Sequence, residues 1–195
     1  MARVYSNLKF MRFTDRLEAL AGGRTAAPVH VRIKPINRCN HSCWYCAYRS
    51  DALALGEDMD QGDRIPTAKL FEIVDDLIAM GVQAVTFSGG GEPLLYKALP
   101  EVIRRLAAGG IRVASLTNGA NLRGAMADAF AEHGTWVRVS LDGWDDDTRE
   151  VVDRWVSVLD RLVSDRASCA REVEWLGKLR AVSYTHLTLP TKRIV

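Results

Sequence analysis

Pro28-Val29-His30-Val31-Arg32-Ile33-Lys34-Pro35-Ile36 runs directly into Asn37-Arg38-Cys39-Asn40-His41-Ser42-Cys43-Trp44-Tyr45-Cys46. The first segment alternates apolar and polar side chains, the period-two signature of a strand with one buried face. The second places three thiols at C-x3-C-x2-C spacing at the end of that strand. Three soft ligands without a fourth suit an iron–sulfur cluster that keeps one iron open, because such clusters are ordinarily held by four thiolates. Two other readings stand beside it. Structural zinc takes a closed tetrahedral set, usually as two ligand pairs well apart in sequence. Here the remaining thiol, Cys169, sits in a distant charged stretch, and His41 would have to close the sphere from between its own neighbours. A disulfide framework fits poorly with clustered thiols and a first segment that lacks a secretory apolar core.

The chain has 195 residues, 48% of them hydrophobic and 26% charged, which is ordinary for one soluble domain with a sizeable core. A net charge of +2 gives no footprint for nucleic acid or an anionic membrane surface. No apolar stretch reaches the length of a membrane span. Unpaired thiols without an export signal point to a reducing, cytoplasmic compartment.

Outward from the cysteines, hydrophobic period and turn signals repeat as strand then helix. Strand 28–36 is followed by a polar loop over 51–64 and a helix starting near Pro66-Thr67, with Leu70, Ile73, Val74, Leu77 and Ile78 as its buried stripe and Gly81 as its stop. A second strand over 84–88 ends in Gly89-Gly90-Gly91-Glu92-Pro93, and its helix buries Val102, Ile103 and Leu106. A third strand over 111–116 ends in Thr117-Asn118-Gly119, followed by a helix through Met126 and Phe130 that stops at His133-Gly134. A fourth strand over 136–141 ends in Asp142-Gly143, followed by a helix carrying Val151, Val152, Trp155, Leu159, Leu162 and Val163. Alternation of this kind implies a parallel sheet with right-handed crossovers. In βα barrels chemistry gathers at the C-terminal strand ends, where the loops converge. Each unusual motif here occupies such an end.

Taken singly, each motif has a plain reading. Gly89–Glu92 can be a glycine-rich turn with a solvated glutamate, and Thr117-Asn118-Gly119 a turn with a left-handed glycine. Asp145, Asp146 and Asp147 read as residues favoured by a helix dipole. Arg32 and Lys34 share one face of the first strand, and Arg138 shares its face with Ser140. Cations on an inward face need anions. These are either a substrate carboxylate or phosphate, or internal partners such as Glu92 or Asp142.

Taken together and in order, the C-x3-C-x2-C loop and the GGGEP motif resemble the radical S-adenosylmethionine (SAM) enzymes over roughly residues 28–150. The resemblance implies a partial (β/α)6 barrel, of which this chain holds about four βα units. It implies a [4Fe-4S] cluster on Cys39, Cys43 and Cys46, with SAM chelating the open iron. It places the SAM ammonium against Gly90, Gly91 and Glu92, ribose or carboxylate contacts at Asn118 and Ser140, and the adenine near Tyr45. It further implies an unidentified substrate and a one-electron donor such as a flavodoxin or ferredoxin. A third glycine stands where the family often has Ser or Thr before GGE.

Val182-Ser183-Tyr184-Thr185-His186-Leu187-Thr188-Leu189-Pro190-Thr191 resembles the in-register translation of a transposon-type library adapter, GTC TCT TAT ACA CAT CTG ACG CTG CCG ACG; the plain reading is a β-rich tail ending in Leu189-Pro190. The expected organisation is therefore a lead-in over 1–27 with a short helix around Asp15–Leu20, a truncated core over 28–181, and a non-native tail over 182–195 excluded from the fold. Truncation is expected to leave the fourth strand with an open parallel edge and SAM turnover slow or absent, so the alternatives to an active enzyme are a catalytically inactive fragment and a zinc-binding structural or interaction module.

Overall fold

The computed structural model describes residues 8–43, 46–49, 56–140 and 186–190. In chain order the elements are α1 (Thr14–Ala21), β1 (His30–Ile33), α2 (Thr67–Ala79), β2 (Ala84–Phe87), α3 (Leu99–Ala108), β3 (Arg112–Thr117), α4 (Gly124–His133), β4 (Gly134–Ser140) and β5 (His186–Pro190). The sheet order is β1-β2-β3-β4-β5, with β1 to β4 parallel and β5 antiparallel to β4. Parallel neighbours in chain order, each pair bridged by one helix, are the winding of a βα barrel wall.

Residue pattern explains the layers. Leu70, Val74 and Leu77 bury one face of α2 at helical spacing, and Leu99, Val102, Ile103 and Leu106 do the same for α3. They share one core with Val85, Phe87, Val113, Val137 and Val139 from the strands. The pairing register puts His30 and Arg32 beside Ala84 and Thr86, and Leu116 beside Arg138. With apolar alternates facing the helices, these polar residues share the opposite, inner face, as the period of two predicts.

Three expectations are corrected. The first strand is shorter than 28–36, because Pro35 has no N–H to give a neighbouring strand. The chain there turns to another partner: Asn37 N donates to Asp63 O (2.9 Å) and Ile65 N to Pro35 O (3.0 Å). The fourth strand begins at Gly134 with no loop after α4, and its register against β3 shifts at Val113/Ala114. The edge of β4 is not open, since residues set aside as a tail form β5 along it, Val137 pairing with Leu189. Tyr45, Asp142, Gly143, the three aspartates 145–147 and the helix expected over 151–163 lie outside the described residues.

Candidate functional site

The loops leaving β1, β2 and β3 are tied to one another by backbone and carboxylate hydrogen bonds. Gly91 N donates to Ile36 O (3.1 Å) and Glu92 N to Arg38 O (2.9 Å), so the glycine loop runs alongside the chain that enters the cysteines. A Cβ on Gly91 would be driven into the carbonyl oxygens of Asn37 and Arg38, and one on Gly90 would stand 2.5 Å from Asn37 Oδ1. Glycine at 91 is thus required by the approach of two loops within the protein. Gly91→Ala should force the cysteine loop away from β2, costing about 1–3 kcal/mol as an overpacked contact. Denaturant unfolding of the apo-protein checks the cost; an unchanged midpoint would contradict the contact.

Glu92 is 3% exposed and its carboxylate is met by three donors. Oε1 accepts from Leu94 N (3.0 Å) and Thr117 Oγ1 (2.5 Å), and Oε2 accepts from Asn118 N (2.8 Å). Thr117 Oγ1 in turn accepts from Gly119 N (2.9 Å). One side chain therefore clasps the loops after β2 and β3. Burial pushes the Glu92 carboxyl above its ordinary value, against the opposing pull of Thr117, Asn118 and Leu94. Asn118, also buried, extends the clasp to the cysteine loop, its Nδ2 donating to Asn40 Oδ1 (2.8 Å).

The structure thus gathers Cys39, Gly90, Gly91, Glu92 and Asn118. Cys39, Cys43 and Cys46 are half-buried thiols on one loop, none in a disulfide, with Cys46 N donating to Cys43 O (3.1 Å). Among the described residues, no three His, Cys, Asp or Glu side chains are grouped as one metal ion requires. A cluster presents its irons at separate corners, so its thiolates need not converge on one point. Three adjacent, unoxidised thiols rimmed by donors fit such a group. Ser140, half-buried at the end of β4, lies on the inner face with Arg138.

Internal pairing of the inner cations with Glu92 does not occur, because Glu92 is engaged by its own loops. Among the described residues the salt bridges are Lys69–Glu72, Arg105–Asp75 and His133–Glu132, and none involves Arg32, Lys34 or Arg138. Lys34 Nζ instead meets the Tyr48 hydroxyl at 2.6 Å.

Three contributors escape sequence reasoning. Arg49 braces the cysteine loop, giving Nη1 to His41 O (2.8 Å) and Nη2 to Cys39 O (3.4 Å) and Gln61 Oε1 (3.2 Å). The only signal in sequence is that an irregular loop needs donors for its carbonyls, and Arg49 is a nearby long donor. Thr117 was visible only as part of a turn. Ser88, two residues before Gly90, has a buried Oγ with no hydrogen-bond partner among the described residues. Period two from Thr86 puts it on the inner face, where a ligand's polar group would meet it.

A family profile described as the radical SAM superfamily matches residues 33–164. The chain is 33% identical over 164 residues to GTP 3',8-cyclase of Chlorobaculum tepidum, covering 80% of this chain and 45% of that protein. It is 31% identical over 141 residues to a serine-type anaerobic sulfatase-maturating enzyme of Klebsiella aerogenes, covering 66% of this chain and 33% of the relative. The chain therefore spans less than half the length of these relatives. Streptococcus suis SuiB bound to S-adenosylmethionine shares its fold, with a TM-score of 0.52 at 17% identity over 80% of this chain and 39% of SuiB. No helix among the described residues is long and apolar enough to cross a membrane.

Proposed function

The chain belongs to the radical SAM superfamily, which implies a [4Fe-4S] cluster and SAM as cofactors, and from that premise we propose that Cys39, Cys43 and Cys46 hold the cluster of an enzyme whose inner sheet face takes the substrate. When bound, the cluster and SAM would supply one-electron reductive cleavage of the S–C5′ bond and, from it, hydrogen-atom abstraction from the substrate.

The residues of this chain have distinct parts in that reading. The loop of Gly90 and Gly91 offers backbone acceptors to the SAM ammonium, and Glu92 holds that loop against Thr117 and Asn118 while adding negative charge. Asn118, through its main-chain carbonyl, and Ser140 serve the ribose, and Tyr45 the adenine. Arg32, Lys34 and Arg138 receive a carboxylate or phosphate of the substrate; the support is that no described carboxylate pairs with them. Electrons come from a small one-electron carrier of the flavodoxin or ferredoxin kind, and an exposed cluster favours a reducing cytoplasm.

The observation that carries the reading is the Glu92 clasp, which joins three strand-end motifs, far apart in sequence, into one site beside the thiols. Anaerobic incubation of the reconstituted chain with SAM and a strong reductant tests it. 5′-Deoxyadenosine and methionine should accumulate in equal amounts, and neither should form in Cys43→Ala. A chain that takes up no iron–sulfur cluster would overturn the assignment, whereas one that binds cluster and SAM yet releases neither product would favour the inactive-fragment reading.

A further inference from the structure

The inner and outer ends of the Asn118 amide are distinguishable, and that fixes what faces the cysteines. Asn118 Oδ1 accepts from Ala120 N at 3.1 Å, so the opposite end of the amide must be the NH2 group. Its main-chain N–H is held by Glu92 Oε2 at 2.8 Å, which leaves the residue little freedom to turn. Of the two protons on Nδ2, one serves Asn40 Oδ1 at 2.8 Å, and the nitrogen stands 4.0 Å from Cys39 Sγ. The same sulfur receives His41 N at 3.5 Å.

Resting on the reading of Cys39 as a cluster ligand, we propose that Asn118 is a positioning residue whose amide acts through the Cys39 thiolate to raise the potential at which the cluster accepts an electron. Reduction adds negative charge to the cluster and its sulfurs. Donors aimed at those sulfurs favour the reduced form, and hydrogen bonding to sulfur is among the levers that set such potentials. Asparagine is the residue that completes the turn to Ala120 and still presents a donor to the thiolate. Aspartate keeps the turn and the shape but places a charged oxygen where the donor was. Serine keeps a turn to Ala120 and withdraws the donor.

The test is an EPR-monitored redox titration of the reconstituted 195-residue chain without SAM, with iron content measured in parallel. Asn118→Asp should lower the ratio of reduced to oxidised cluster at a fixed potential by about tenfold or more, a shift of about 59 mV for a one-electron couple. Asn118→Ser should shift it in the same direction by less, with iron content unchanged; should the Asp variant lose its cluster, the Ser variant decides. Ratios within about twofold of the wild type in every variant that keeps its cluster overturn the inference while leaving the cluster assignment intact. A wild-type chain that takes up no cluster overturns both.

Discussion

Cys43→Ala should lose the iron–sulfur centre on anaerobic reconstitution, with iron and sulfide content falling to background. The middle thiol has no substitute: the only other cysteine beyond the triplet, Cys169, is more than a hundred residues away, and the triplet's own spacing leaves no spare ligand. Changing a mere outer-shell partner of a metal ligand costs about 10–100-fold in affinity, so removing a ligand itself should cost at least about 100-fold. The fold should survive, because Cys43 is half-buried on an irregular loop and not part of the core around Ile103 and Phe87. Iron analysis and circular dichroism of the same preparation check both halves. Undiminished iron in the variant would mean that the centre is held elsewhere.

Glu92→Gln should weaken SAM binding by about tenfold or more, which is about 1.4 kcal/mol, while the cluster remains. Two effects combine. The charge opposite the SAM ammonium is removed, and the clasp is broken. Glu92 offers oxygens on both sides, to Leu94 N and Thr117 Oγ1 on one and to Asn118 N on the other. Glutamine has one oxygen, so its NH2 must face a main-chain N–H, leaving a buried donor unsatisfied at about 1–3 kcal/mol. Denaturant unfolding should register that loss as well. Its pH dependence follows from the raised carboxyl of Glu92. The stability that Glu92 contributes is complete below the pKa of an unfolded glutamate and is lost as pH rises through the higher folded value. The cost of Glu92→Gln should therefore be largest in acid and shrink across that window. Glu101, exposed in the first turn of α3, is the control and should move stability by no more than about 0.5 kcal/mol. Equal losses of SAM affinity from both substitutions would contradict the clasp.

The legible parts of this molecule are those written in short-range pattern. The stripe of Leu70, Val74 and Leu77 and the period two of Val31 and Ile33 against Arg32 reflect local geometry, and the structure reproduces them. What escaped depends on contacts between distant residues. Gly91 reads as room for a ligand, yet its bare Cα is required by the carbonyls of Asn37 and Arg38, more than fifty residues earlier. Glu92 reads as an exposed acceptor, yet Thr117 and Asn118 bury it. Arg49 has no periodic partner at all, and its role follows from the carbonyls that an irregular loop leaves over. Pro35 carried a usable signal, since a residue without an N–H seldom continues a central strand, and it ends β1 early. The pairing of β5 on β4 lies beyond local pattern, because nothing short-range in residues 186–190 names the strand that they pair with.

The central claim is that three thiolates hold a cluster with one iron left for SAM. Its most direct measurement is the EPR spectrum of the reduced, reconstituted chain before and after SAM is added. The account predicts the signal of a reduced [4Fe-4S] centre whose g-values change on addition of SAM. Stoichiometric zinc without iron uptake, or a cluster signal indifferent to SAM, would contradict it.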